Sequence, residues 1–226
     1  MPIRLIASIV ILVPLFLSAD DSVNEAKYAE GLINTNIFSN KTFQSHFEQI
    51  IRDEQGEIID KMEGTISIEK PDNFRWHYKR PYEQIIIGNG IKLISYDIDL
   101  NNITLRDYQN INNTAPIIML KGDEDSARDL KLINSYYDGD NLFWINAQYQ
   151  LSNNDKFAFD VAFSNKVMVK MLIKDSLNQD MIINFLNPVF NMKLDPDLFD
   201  IEAMLLNSEI GPVSYTHLTL PTSDLV

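Results

Sequence analysis

Three histidines, at positions 46, 77 and 217, are the side chains here whose ordinary pKa lies nearest neutrality, and none sits in a pattern that acid–base or metal chemistry needs. His46 and His77 fall on the polar parity of strand-like stretches, where a histidine serves the surface. Asp97-Ile98-Asp99 has the spacing of a cation-binding D-x-D. No oxygen-rich loop surrounds it, and a turn at a strand end accounts for it better. There is no G-x-S-x-G, no phosphate-binding loop and no Gly-rich dinucleotide signature. Cysteine is absent, which removes disulfides, thiolate metal sites and a lipid-modified N-terminal cysteine together. The expectation is a chain with no catalytic residue, no metal and no cofactor. A hydrolase acting through Asp97, Asp99 or His77 is the enzyme alternative.

More chemistry is written in apolar residues. Phe74, Trp76 and Tyr78 recur at every second position, so in a strand they project from one side of a sheet. In most β domains such a stripe fills a core. The elements around it decide whether it does so here. FQSHFEQII, EIIDKMEGTISIEKP, DNFRWHYKRPYEQIII and IKLISYDIDL follow one another as strands. Ile58, Met62, Ile66 and Ile68 alternate with polar neighbours, the pattern of a sheet with one wet face. Glu54-Gln55-Gly56, Gly88-Asn89-Gly90 and Asp99 to Asn102 read as turns. Later, Phe157, Phe159, Val161 and Phe163 alternate, as do Val167, Val169, Met171 and Ile173, with turns at Ser164-Asn165 and at 176–178. Leu198 to Ile201 reads as a last short strand after an Asp-Pro-Asp turn.

Helices are few. Residues 20–33 form one, capped by Asp20, Asp21 or Ser22, with Val23, Ala26, Ala29 or Glu30, and Ile33 as its stripe. Asn34 to Lys41 follows as a loop or strand approach. Residues 113–121 (NTAPIIMLK) break the strand pattern and read as a short, very apolar helix. With no internal repeat and no βαβ alternation, a single antiparallel sheet is expected. At least five strands then have an apolar face and two short helices to cover it. A long sheet that curls with so little cover can keep a partly empty apolar interior, as ligand-holding barrels do.

Lys+Arg number 19 against 32 Asp+Glu, a net charge of −13 without a basic stripe, which disfavours nucleic acid. The chain suits one domain, residues 20–210. Arg4, the apolar run Leu5–Leu17 and small Ser18-Ala19 read as a cleaved secretory signal over residues 1–19, because the run is shorter than a membrane-spanning helix needs. Residues 211–226 do not continue the strand periodicity, and VSYTHLTLP resembles a translated sequencing adapter.

Several short motifs occur in a fixed order: Phe43, Phe47 and Gln49; Gly64 to Pro71, ending Lys-Pro; Asn73 to Pro81 as N-F-R-W-x-Y-x-x-P; Gly88-Asn89-Gly90; Ser95 to Asp97; the Pro-Ile-Ile-Met-Leu segment; and a closing Asp-Pro-x-Leu-Phe. Behind a signal peptide this series, spanning most of residues 22–201, resembles the LolA family of periplasmic carriers for outer-membrane lipoproteins. The resemblance implies an α+β fold, mainly antiparallel: an incomplete, half-open β-barrel covered by a short helical lid. It implies an acyl cavity lined by Phe47, Phe74, Trp76 and Tyr78, with Ile66, Ile68 and Leu93 as filler, and a lid whose apolar underside is Ile117, Ile118, Met119 and Leu120. The family usually has Arg before the strand-ending Pro, tying barrel to lid through backbone carbonyls. This chain has Lys70, which can donate to a carbonyl but lacks the planar fork, so the implied latch is weaker. The implied partners are acylated lipoproteins, an inner-membrane ABC-type lipoprotein-releasing transporter as donor, and an outer-membrane acceptor lipoprotein as recipient. A monomer in the periplasm is expected. An acceptor of the same fold would itself be a lipoprotein, and the missing cysteine argues against it. Another periplasmic lipid or glycolipid binder of this fold is the alternative.

Overall fold

Period-two alternation dictates the architecture. The computed structural model describes residues 19–107, 129–150, 156–174 and 178–207. Eleven strands form one antiparallel sheet: β1 (Thr42–Arg52), β2 (Ile58–Glu69), β3 (Asn73–Arg80), β4 (Gln84–Asn89), β5 (Lys92–Asp97), β6 (Asn102–Asp107), β7 (Leu130–Tyr137), β8 (Phe143–Gln150), β9 (Lys156–Ser164), β10 (Val167–Lys174) and β11 (Asp180–Phe190). Across the sheet they run β6-β5-β4-β3-β2-β1-β11-β10-β9-β8-β7. Two meanders are thus joined by the pairing of β1 with β11, and β6 and β7 remain as edges. The sheet is open, as an incomplete barrel requires.

One face carries the main core. Phe43 and Phe47 of β1, Ile66 and Ile68 of β2, and Phe74 and Trp76 of β3 share a cluster with buried side chains of β8 to β11. We call this the inner face. On the other side, Ile85, Ile87, Ile94 and Ile103 form a second cluster with Ile201. Their neighbours Ile86 and Leu93 turn inward and pack on the first. The unbroken Ile85-Ile86-Ile87 run is therefore apolar because both faces of β4 are covered.

Outer cover comes from the chain's end. Leu198 to Ile201 is not a strand: a 3-10 helix, Pro196–Phe199, leads into α2 (Ile201–Asn207). Two aspartates explain this. Asp195 accepts from the Asp197 N–H at 3.1 Å, and Asp200 accepts from the Ala203 N–H at 2.9 Å, each satisfying a donor that a strand would have sent to a neighbour.

The first helix is longer than its pattern suggests. α1 (Ala19–Ile33) continues through a π-helical turn, Asn34–Phe38, where a loop or strand approach is expected from composition. Asn36 forces the difference. Its amide donates to the carbonyls of Leu32 at 2.9 Å and Lys166 at 3.0 Å, while its oxygen accepts from the Met168 N–H at 3.0 Å. Tertiary hydrogen bonds to the β9–β10 turn hold the chain helical past its own propensity. The stripe is also corrected. Ala29, Leu32, Ile33 and Ile37 are buried, whereas Val23 is 50% exposed and Ala26 faces solvent.

A second correction concerns β10. Its register slips between Met168 and Lys170, so Met168 is buried and Val167 points outward. The Val167-Val169-Met171-Ile173 alternation expected from sequence is broken by this bulge. The turn before it has positive φ at Asn165 and Lys166, as a two-residue hairpin loop needs. Residues 113–121, read as a short helix, lie outside the described residues, as do residues 1–18 of the 1–19 segment read as a leader and the 211–226 segment.

One glycine is required by space. A Cβ on Gly64 would stand 2.0 Å from the carbonyl oxygen of His77 and 3.0 Å from the Phe47 ring. β3 passes there with a bulge, since Glu63 pairs with Arg80 but Gly64 with Tyr78. Gly64→Ala is expected to cost on the order of 3 kcal/mol, because the obstacle is backbone and cannot rotate away. Urea unfolding checks this: a midpoint unchanged from wild type would contradict it.

Candidate functional site

The aromatic stripe sits where β1, β2 and β3 pair. Trp76 lies opposite Ile66, and Phe74 opposite Ile68. Gly64 lies between Phe47 and Tyr78. Its missing side chain leaves room for both rings. Phe47 stands 4.9 Å from Trp76 and 5.4 Å from Tyr78, edge-on to the latter, and Trp76 to Tyr78 is 6.1 Å. Phe47, Ile66, Ile68, Phe74 and Trp76 are buried on the inner face, with Tyr78 and Leu93 packed against them half-buried. The structure thus brings the seven expected cavity residues to one face. In the conformation described they are packed against one another.

Polar atoms in this patch are few. The Tyr78 hydroxyl donates to Gln49 Oε1 at 3.2 Å, and burial pushes its pKa far above the usual phenol value, partly opposed by that hydrogen bond. It is a neutral donor at any physiological pH. Trp76 Nε1 is buried and has no hydrogen-bond partner among the described residues.

At the rim, Lys70 follows β2 and reaches the end of the helical segment. Its ammonium donates to the carbonyls of Ile37 and Phe38, the latter at 3.3 Å. These are the orphan acceptors every helix leaves at its C-terminus, where the dipole also favours a cation. Asn40 strengthens the same end: it donates to Thr35 and Asn36 carbonyls and accepts from Asn191 Nδ2 at 2.7 Å. The helix is therefore pinned to the barrel near Phe38.

Burial lowers the Lys70 pKa from 10.5 to about 8. The consequence has a definite sign. Between those values the unfolded chain holds a proton that the folded chain has lost, so stability rises with pH across that window. Below pH 8 the desolvation of the cation is a fixed cost to the folded state. Melting temperature measured from pH 7.5 to 10 should contain a rising component that Lys70→Met removes. An identical pH profile in both proteins would contradict the assignment.

The other end of α1 is held loosely. Ser135 donates to Glu25 at 2.9 Å across an exposed contact, and Tyr28 meets Phe143 edge-on at 5.1 Å. Between α1 and the edge strand β7 lies an open groove of about 700 Å³, a size suited to a small-molecule ligand. Its floor includes Ala29, Ile33, Phe38, Leu130 and Leu132. All five are in, or packed on, the same core cluster as Trp76. Glu25, Glu30, Lys131 and Ser135 make its lip polar. None of the β1–β3 aromatic rings lines this groove. Phe38, Leu130 and Leu132 line this groove and are not among the cavity residues expected from sequence; the alternation of Leu130 and Leu132 was the signal available. Ile117, Ile118, Met119 and Leu120 lie outside the described residues.

The hydrolase candidates of the sequence make turn and strand-end contacts. His77 pairs with Glu83 at 2.8 Å. Asp97 accepts from the Leu100 N–H at 3.0 Å and Asp99 from the Glu83 N–H at 3.1 Å, both as turn contacts. His46 is exposed. Among the described residues no three acidic or histidine side chains gather as a metal site would need, and no helix is long and apolar enough to cross a membrane.

Comparison with known proteins places this geometry in a family. A family model described as the outer membrane lipoprotein carrier protein LolA matches residues 39–202. The outer-membrane lipoprotein carrier protein of Nitrosomonas europaea is 32% identical over 165 residues, covering 72% of this chain and 80% of that one. That of Methylobacillus flagellatus is 30% identical over 159 residues, covering 70% and 77%. Among solved structures, a LolA superfamily protein from Nitrosomonas europaea superposes with a TM-score of 0.50 at 10% identity, over 77% of this chain and 97% of that one. At that identity the likeness concerns the fold.

Proposed function

The chain belongs to the LolA family, whose model spans residues 39–202, and from that premise we propose that it carries outer-membrane lipoproteins by burying their acyl chains between α1 and the inner face of the sheet. The observation that carries this reading is a helix over an aromatic interior, held by buried hydrogen bonds at one end and by an exposed one at the other.

Free acyl chains cannot cross an aqueous compartment, since each methylene is worth about 0.8 kcal/mol on leaving water. A carrier must bury them and still let go. Lifting α1 exposes Leu32, Ile33 and Ile37, buried in the closed form, at on the order of 6 kcal/mol in all. Roughly eight buried methylenes offset that. Longer chains leave a surplus that holds the ligand, while the closed form keeps the empty interior from water. Lys70, Asn36 and Asn40 hold the closed helix and release it last; the exposed Glu25–Ser135 end is where entry begins. Phe47, Ile66, Ile68, Phe74, Trp76, Tyr78 and Leu93 line the far wall once the helix lifts. Lys70 is the latch between barrel and helix.

The carrier works without nucleotide: an ABC-type lipoprotein-releasing transporter in the inner membrane loads it, and an outer-membrane acceptor lipoprotein with higher affinity unloads it. The net charge of −13 suits docking on basic partner surfaces. The site of action is the periplasm, and a monomer suffices.

Mass spectrometry of what co-purifies from periplasm tests this. Acylated lipoprotein is the expected species. Phospholipid or glycolipid alone would instead make the chain another lipid binder of this fold, and turnover of an added ester, abolished by replacing Asp97, Asp99 or His77, would make it a hydrolase.

A further inference from the structure

An indole N–H donates and has no acceptor capacity. Trp76 Nε1 is buried, and among the described residues nothing accepts from it. Buried donors left unpaired are rare and destabilising, so this atom calls for an acceptor. Its surroundings define which kind. Ile66 lies opposite Trp76 on one side and Ile86 on the other, and the Phe47 ring stands 4.9 Å away. The polar pair beside it, Tyr78 and Gln49, is satisfied internally at 3.2 Å. The cation at the rim, Lys70, is engaged with the carbonyls of Ile37 and Phe38.

A carboxylate would enter this patch without a counter-ion. A hydroxyl would bring a second buried donor. A neutral acyl ester carbonyl accepts and asks for nothing further. Resting on the carrier reading above, we propose that Trp76 Nε1–H is a binding donor for an ester carbonyl of the lipid, fixing the glyceryl end of the ligand while its chains run along the inner face. The site thereby recognises acylglycerol esters and not hydrocarbon alone.

The test compares a dipalmitoylglyceryl-cysteine peptide with its dialkyl-ether counterpart, which keeps the chains and lacks the ester carbonyls. Wild-type protein should bind the ester about tenfold more tightly, the scale of one buried hydrogen bond. In Trp76→Phe that ratio should fall to near one. The indole ¹H–¹⁵N resonance of Trp76 in wild-type protein should move downfield with the ester and not with the ether. It reads the hydrogen bond directly, so the inference stays testable if the variant folds poorly. A dipalmitoyl phospholipid pair separates the sources: the same preference there assigns the donor to acylglycerols generally, and its restriction to the peptide assigns it to lipoproteins. An ester-to-ether ratio near one in wild type, or an unmoved indole resonance, overturns the inference while leaving the carrier reading intact. Failure of both lipids to bind overturns that reading and the inference with it.

Discussion

Trp76→Glu abolishes lipoprotein binding, lowering affinity by more than a hundredfold, and destabilises the closed protein by on the order of 4 kcal/mol. Trp76 is 3% exposed, in ring contact with Phe47 and Tyr78. Glutamate empties that volume and places a carboxyl among apolar side chains, so the side chain takes a proton or drags water inward. Either outcome spoils an interior that must hold hydrocarbon. Because a destabilised protein also binds poorly, the comparison is with Ile94→Ala. Ile94 is fully buried in the outer cluster under α2, and its truncation should cost a similar amount, about 2–5 kcal/mol. Pull-down with acylated lipoprotein, at a temperature where circular dichroism shows both variants folded, should give near wild-type capture for Ile94→Ala and none for Trp76→Glu. Equal capture by the two would remove the inner face from the binding account.

Lys70→Arg slows both opening and release. The lysine reaches the Ile37 and Phe38 carbonyls as a point charge whose burial lowers its pKa to about 8. An arginine stays charged, is less strongly hydrated, and offers a planar fork that fits two adjacent carbonyls. One better hydrogen bond at a partly buried site is worth about 1 kcal/mol, so amide exchange along residues 29–38 should slow by roughly five- to tenfold. Transfer of bound lipoprotein to an acceptor should slow with it, since both need the helix to lift. Exchange in β9, remote from the latch, provides the internal reference. Unchanged protection in residues 29–38 would show that Lys70 does not hold the helix.

The sheet was readable because its strands are half-wet. Ile66 and Ile68 against Thr65 and Ser67, or Phe159 and Phe163 against Asp160 and Ser164, state the inward face without ambiguity. What the pattern could not show was where pairing slips. The bulge at Met168–Lys170 depends on β9 as much as on β10, and it inverts Val167. The helical extension to Phe38 depends on Asn36 meeting Lys166 and Met168, 130 and 132 residues away in sequence. Local propensity has no access to that. The C-terminal helix was in principle legible: Asp200 three residues before Ala203 is an N-cap, but the preceding Asp-Pro-Asp turn and the Leu-Phe-Asp-Ile alternation mimic a strand.

The site was legible by type and not by place. The Phe-x-Trp-x-Tyr stripe marked the inner face of the sheet, and Lys-Pro marked the lysine that reaches the Ile37 and Phe38 carbonyls. The groove between α1 and β7 was not legible, because edge-strand position is a property of topology. β7 becomes an edge once β1 pairs with β11, and nothing in residues 130–137 announces it.

The central claim, that acyl chains lie between α1 and the inner face, is tested most directly by photo-cross-linking. p-Benzoylphenylalanine replaces Phe38, which lines the groove, or Tyr96, which packs on the outer cluster. Irradiation after loading with a lipoprotein of known acyl composition should join the Phe38 position to the acyl chains and leave the Tyr96 position unlinked. Acyl cross-links from Tyr96 and none from Phe38 would contradict the account.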